Sequence, residues 1–265
     1  MLIVRSTSDK KQSQKNMTDL SIMYETVSPI NATVHGDVSI KPVTGFEFAQ
    51  KINSVPVLAT EFAAAASDMA LVFSGDDEEL LPVALLGVTE NKNLYVNDSG
   101  QWAGRYVPAF LRRYPFIFAR DGEESLTLCI DESYTGFNRE GRGERLFDTD
   151  GERTQYLENM LNFVTEYQRQ HSGTKAFCKR LSDLGLLEPA TLSAPEESGE
   201  VRRLVGFQVL SRQKFKAIDD SKLLEMFRRD ELELCYLHMH SLKNIGIQLN
   251  KTADVTEELT AATIQ

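Results

Sequence analysis

Phe116-Ile-Phe-Ala-Arg-Asp-Gly-Glu-Glu-Ser-Leu-Thr-Leu-Cys-Ile-Asp131 is the stretch that decides the fold. Two apolar runs, 116–119 and 125–130, flank Asp121-Gly122. That dipeptide tolerates the positive φ values of a tight turn, so the two runs are expected to fold back as a hairpin. The same grammar recurs upstream. Residues 69–73 and 82–88 flank the acidic loop 75–79, and residues 94–96 run into the turn sequence Asn97-Asp98-Ser99-Gly100. Extended candidates lie at 21–27 and 38–43, with short helical patterns at 46–52 and 59–67. Successive hairpins predict a curved antiparallel sheet in the N-terminal half, not a parallel nucleotide-binding one.

Beyond residue 150 the apolar spacing turns helical. Tyr156, Leu157, Met160, Leu161, Phe163, Val164 and Tyr167 form one stripe, and 174–187 continues it until Pro189. Residues 192–200 read as a Ser/Pro/Glu loop and 204–210 as one more strand. Ser211 and Asp219-Asp220 read as caps of two helices, followed by a longer helix over about 231–243. The class is therefore α+β, with α-helices mainly in the C-terminal half. Residues 1–16 are expected to be a loose polar extension and 250–265 a loose tail. Between them, 17–249 form a single domain, β-rich to about 150 and α-rich after it.

With 265 residues, 42% of them hydrophobic, the chain can bury a full core. A net charge of -10 argues against nonspecific nucleic-acid binding and against an anionic membrane surface. No apolar run is long enough to span a bilayer, and the N-terminal charges follow its hydrophobic residues, the wrong order for a secretory signal. A cytoplasmic location is the expectation. Cys129, Cys178 and Cys235 lie far apart in apolar settings, which suits buried, reduced thiols. There is no Gly-rich phosphate loop, nucleophile elbow or His-Glu-x-x-His motif, so neither a cofactor nor a metal is expected.

The residues with most chemistry lie in 102–118, where six aromatic rings, two prolines and three arginines are concentrated. Arg112 and Arg113 have two readings. One is a clamp for a small anionic or aromatic ligand beside Trp102 and Tyr106. The other is a structural arginine paired with Asp131 or Asp148. His238 falls on the apolar line Leu234, His238, Ser241, Leu242, Ile245, which suits either a core histidine or an acid–base group. His240 diverges from it by roughly 200° on a helix, so the two cannot share a metal. Asp148-Thr-Asp-Gly-Glu152 looks like the start of a calcium loop. A helix begins where later oxygen ligands should come, however, and a turn leading into a helix N-cap explains it better.

A set of longer pieces carries a family resemblance. They are Phe46-Glu-Phe-Ala-Gln-Lys-Ile-Asn-Ser-Val-Pro-Val-Leu58, Pro82-Val-Ala-Leu-Leu-Gly87, Tyr106-Val-Pro-Ala-Phe-Leu-Arg-Arg-Tyr-Pro-Phe116, Leu128-Cys-Ile-Asp131 and Leu186-Leu-Glu-Pro189. In this order they resemble the bacterial SapC family over roughly residues 20–249. The basic extension 1–16 and His240 depart from the family pattern. The family name derives from surface-layer loci, and its members neighbour tryptophan-halogenase-like flavoproteins, cupin-like oxygenases and outer-membrane receptors. No reaction comes with the resemblance. It implies a non-catalytic binding or accessory protein with a protein partner, associated with a surface layer or working beside a flavin-dependent halogenase or oxygenase. The alternative is an enzyme, or a subunit of one, acting on a small anionic or aromatic substrate. Trp102, Tyr106, Arg112, Arg113 and Asp131 would then contact the ligand, with His238 as acid or base.

Overall fold

The structure is a computed structural model that describes residues 3–5, 23–76, 79–89, 91–121, 125–195 and 201–249. In chain order its strands begin with β1 (Ile3–Arg5), β2 (Val27–Pro29), β3 (Ser39–Ile40), β4 (Ser54–Pro56), β5 (Ala70–Ser74) and β6 (Leu81–Leu85). There follow β7 (Phe116–Asp121), β8 (Ser125–Asp131), β9 (Phe137–Asn138), β10 (Glu144–Arg145), β11 (Leu187–Pro195) and β12 (Val201–Leu210). The helices are α1 (Ala32–His35), α2 (Phe62–Ala65), α3 (Ala109–Arg112), α4 (Gln155–Asp183), α5 (Arg212–Lys216), α6 (Asp220–Arg228) and α7 (Glu231–Ser241).

The class is α+β, the strand pairs are antiparallel and the longer helices lie in the C-terminal half, as the sequence predicts. Both expected hairpins form. Phe116 pairs with Ile130 across β7 and β8, and Phe73 with Pro82 across β5 and β6. Every residue of β5 and β6 is buried, which explains why these strands are continuously apolar rather than alternating.

The strands do not make one N-terminal sheet. The central sheet of six strands joins β4, β6 and β5 to the C-terminal strand β12, with β11 and β1 also paired to β12. Two three-stranded sheets, β10-β3-β9 and β2-β8-β7, complete the β structure. Residues 192–195, read from sequence as loop, extend β11. Their Ser and Pro residues are tolerated because β11 pairs along only one side, and the register shifts once between Ala190 and Leu192. Of the extension 1–16, only Ile3–Arg5 is described, paired with Val205, Leu204 and Arg203. The tail 250–265 lies outside the described residues, as does the hairpin turn 122–124.

The two predicted helical patterns are one helix of 29 residues, α4, about 43 Å long at 1.5 Å per residue. Thr154 caps it, its hydroxyl accepting the Leu157 amide, while Ser172 and Gly173 are carried on the exposed side. Its buried row serves two cores. Leu157 and Val164 pack with Phe116, Ile130 and Leu146, whereas Phe177, Cys178 and Leu181 pack with Phe62, Phe73 and α7. The helix therefore welds the β7–β8 hairpin to the central sheet. A buried Glu231 at the start of α7 accepts Arg180 Nε at 2.6 Å, tying α7 to the same helix.

Candidate functional site

The aromatic segment builds a corner around a carboxylate that the sequence reading did not single out. Glu61 is buried and accepts three donors: the Tyr106 hydroxyl at 2.6 Å and the Ala109 amide at 2.7 Å on Oε1, and the Leu58 amide at 2.8 Å on Oε2. It thereby anchors the start of α3 and the turn after Leu58. The available signal was a Glu three residues beyond the start of a short apolar helix, which is half of a capping box. Burial first, and then the bond to Glu61, push the Tyr106 phenol above its ordinary pKa. The Trp102 indole N–H donates to the Tyr106 carbonyl at 2.9 Å. The Trp102 ring lies 5.4 Å from both Tyr95 and Phe46.

Arg112 and Arg113 diverge. Arg112 is exposed; its Nε donates to the Val107 carbonyl at 3.0 Å and it lies over Phe163 at 5.4 Å. Arg113 turns inward and is 8% exposed. Its guanidinium carbon stands 4.3 Å from the Phe110 centroid, 4.9 Å from Tyr167 and 6.0 Å from Tyr24. Among the described residues it forms no ion pair, and its Nε has no hydrogen-bond partner.

Neither carboxylate that the sequence offered to Arg113 is its partner. Asp131 is fully buried and accepts the Thr26 amide at 2.9 Å, the Glu25 and Ser133 amides at 3.1 Å and the Ser133 hydroxyl at 2.6 Å. Burial would raise its pKa, but the Ser133 hydroxyl and these amides outweigh it and hold the carboxyl below its usual value. Asp131 thus pins the chain ahead of β2 to the end of β8. Asp148 accepts the Asp150 and Glu152 amides, both at 2.9 Å, and closes a turn before α4. That turn is the one expected in place of a calcium loop.

His238 belongs to another part of the core. It is 1% exposed, its Nε2 accepts the Leu210 amide at 3.0 Å, and its ring lies 4.9 Å from Phe73. Burial lowers its pKa to about 4, so at neutral pH it is an uncharged packing residue whose acceptor nitrogen is already used. The thiols are equally enclosed. Burial pushes Cys178 and Cys235 up to about 12 and also raises Cys129. Among the described residues, no three His, Cys, Asp or Glu side chains are grouped to hold a metal ion. The structure therefore gathers Trp102, Tyr106, Arg112 and Arg113 into one corner, puts Asp131 at a strand end, and sets His238 against β5 and β12.

The pattern of the SapC family matches residues 30–247. No curated protein matches the chain, and no solved structure does. The match runs from the residues just ahead of α1 to the helical segment that follows α7, and the chain belongs to the SapC family.

Proposed function

We propose that this SapC-family chain works by binding a protein partner, as a non-catalytic accessory factor in the cytoplasm. The observation that carries this reading is the outer face of α6 and α7, where Leu223, Leu224, Phe227 and Tyr236 are 36%, 48%, 64% and 60% exposed. Large apolar side chains gathered on one helical pair mark an interaction surface. Met226 on the same helix faces inward and is buried, so α6 is amphipathic with an apolar outer edge as well as an apolar inner one. Lys222 and Arg229 pair with Glu225 of the same segment, so the apolar residues are what distinguish this edge. The fitting partner is a protein that presents a complementary apolar strip. The family resemblance supplies candidates for it: a surface-layer component, or a flavin-dependent halogenase or oxygenase.

Affinity capture from native lysate with the wild type and with a Leu224→Asp, Phe227→Asp variant tests this reading. A partner held by the wild type and lost from the variant, at an unchanged melting temperature, is the expected result. Equal capture by both proteins would move the interface elsewhere. No enriched partner, together with turnover of a metabolite by the purified chain, would replace binding with catalysis.

A further inference from the structure

A groove of about 460 Å³ opens between the first turns of α4 and the β7–β8 hairpin. That volume lies within the roughly 300–1,000 Å³ of small-molecule sites. Eight of its eleven lining side chains are apolar, Phe118, Leu126 and Leu128 from the hairpin and Leu157 and Leu161 from α4 among them, while Asn31, Thr127 and Arg153 supply polar surface. Leu126 is 44% exposed even though its neighbours are core residues, so the groove leaves an apolar strand position uncovered. Among the described residues one cation lines it. Arg153 directly precedes the α4 cap Thr154, where the long helix presents the positive end of its dipole. Among the described residues Arg153 pairs with Glu158, at 3.3 Å, with both side chains about half exposed (55% and 41%).

We propose that this groove binds a small amphipathic carboxylate, with its apolar body between α4 and the hairpin and its head group on Arg153. The eight apolar side chains favour a largely apolar body, and Asn31 and Thr127 leave room for a hydrogen-bonding group on it. The cation at the mouth selects an anionic head. A monoanion fits better than a phosphate dianion, since a single guanidinium beside Glu158, on a chain of net charge -10, cannot neutralise two charges. This site shares no residue with the α6–α7 face or with Arg113, so it can fail while the protein-binding reading stands.

The test is calorimetry on the full chain, with decanoate and its uncharged counterpart decanol as probes. Decanoate should bind at one site, about fivefold tighter than decanol, the advantage of a half-exposed ion pair. Arg153→Gln should erase that advantage without changing decanol binding. Glu158→Gln should tighten decanoate binding by up to about fivefold, because Arg153 loses its competitor. Both positions are on the surface, so these variants should fold. Leu161→Trp, which fills the groove, should abolish binding of both probes. No binding at millimolar concentration, decanol binding as tightly as decanoate, or an Arg153→Gln variant with the wild-type preference would each overturn the proposal.

Discussion

The corner at residues 102–116 and the outer face of α6 and α7 invert the usual expectation of where chemistry lies. The corner holds the arginines, the tryptophan and the tyrosines that a sequence reader would assign to a ligand. Its polar atoms are nonetheless largely engaged by the protein itself: Glu61 holds three donors, Trp102 holds a carbonyl, and Arg113 lies among three rings. The α6–α7 face is made of ordinary leucines, one phenylalanine and one tyrosine, yet among the described residues these side chains are exposed. A buried polar group costs free energy unless it is paired, so polar residues in a large core are commonly matched internally. Exposed apolar area has no such internal account, and the proposed partner surface is placed there for that reason.

The largest expected effect would break that comparison directly. Phe116 is fully buried and meets Tyr156 edge-on at 6.0 Å, so Phe116→Ala should cost about 3–5 kcal/mol of stability. Phe227→Ala, removing a ring of the same size that is 64% exposed, should change stability by less than about 0.5 kcal/mol. Urea denaturation of both variants measures the contrast. Similar losses would mean that the α6 face is covered in the folded chain and is not free for a partner.

A second prediction concerns acid stability. An unfolded histidine titrates near 6.5, whereas burial holds His238 at about 4. Between these values the unfolded chain takes up a proton that the native chain refuses. Stability is therefore fully present above about pH 6.5 and is lost as the pH falls towards 4, by about 3 kcal/mol in all. His171, also lowered, chiefly by burial, adds slope of the same sign, so the measurement must be a difference between proteins. His238→Gln can still accept the Leu210 amide and should flatten the limb of melting temperature against pH between 6.5 and 4. An unchanged limb would show that the ring takes a proton in the native state, as an acid–base group must.

Much of this fold was legible in the sequence, and the gaps have physical causes. The β7–β8 and β5–β6 hairpins could be read because each register is set locally, by a short loop between apolar runs. The attachment of β12 to β5 could not, because it joins Gln208 to Phe73 across about half of the chain and leaves no local pattern. The break between the two α4 stripes was misleading because Ser172 and Gly173 are exposed, where helix propensity is a weak constraint once the flanking turns are packed. At the corner, sequence identified the arginines and rings. It missed Glu61 because a single carboxylate beside alanines gives no sign of three donors arriving from residues 58, 106 and 109. The apolar row on α6 was present in the sequence, but periodicity assigns such a row to a core, and only the packed structure shows its outer edge exposed among the described residues.

The smallest expected effect bears on Arg113, whose Nε has no hydrogen-bond partner among the described residues. Arg113→Met keeps the length of the side chain and its contact with Phe110 and Tyr167, while removing a desolvated cation whose Nε has no partner. The lost cation–π attraction, about 0.5–2 kcal/mol, is offset by relief of burying the charge. Net stability should therefore change by less than about 1 kcal/mol in either direction. Spectroscopic titration of the tyrosines supplies a second reading. Burial raises Tyr24 to about 12 and the neighbouring Arg113 charge pulls it back, so without that charge Tyr24 should ionise at still higher pH. A loss above about 3 kcal/mol would mean that the substitution had broken a buried ion pair, and Arg113 would then be a structural arginine with a carboxylate partner after all. If stability is retained but benzoate raises the melting temperature of the wild type and not of the variant, the guanidinium is a ligand clamp. The corner would then join the outer face of α6 as a proposed binding surface.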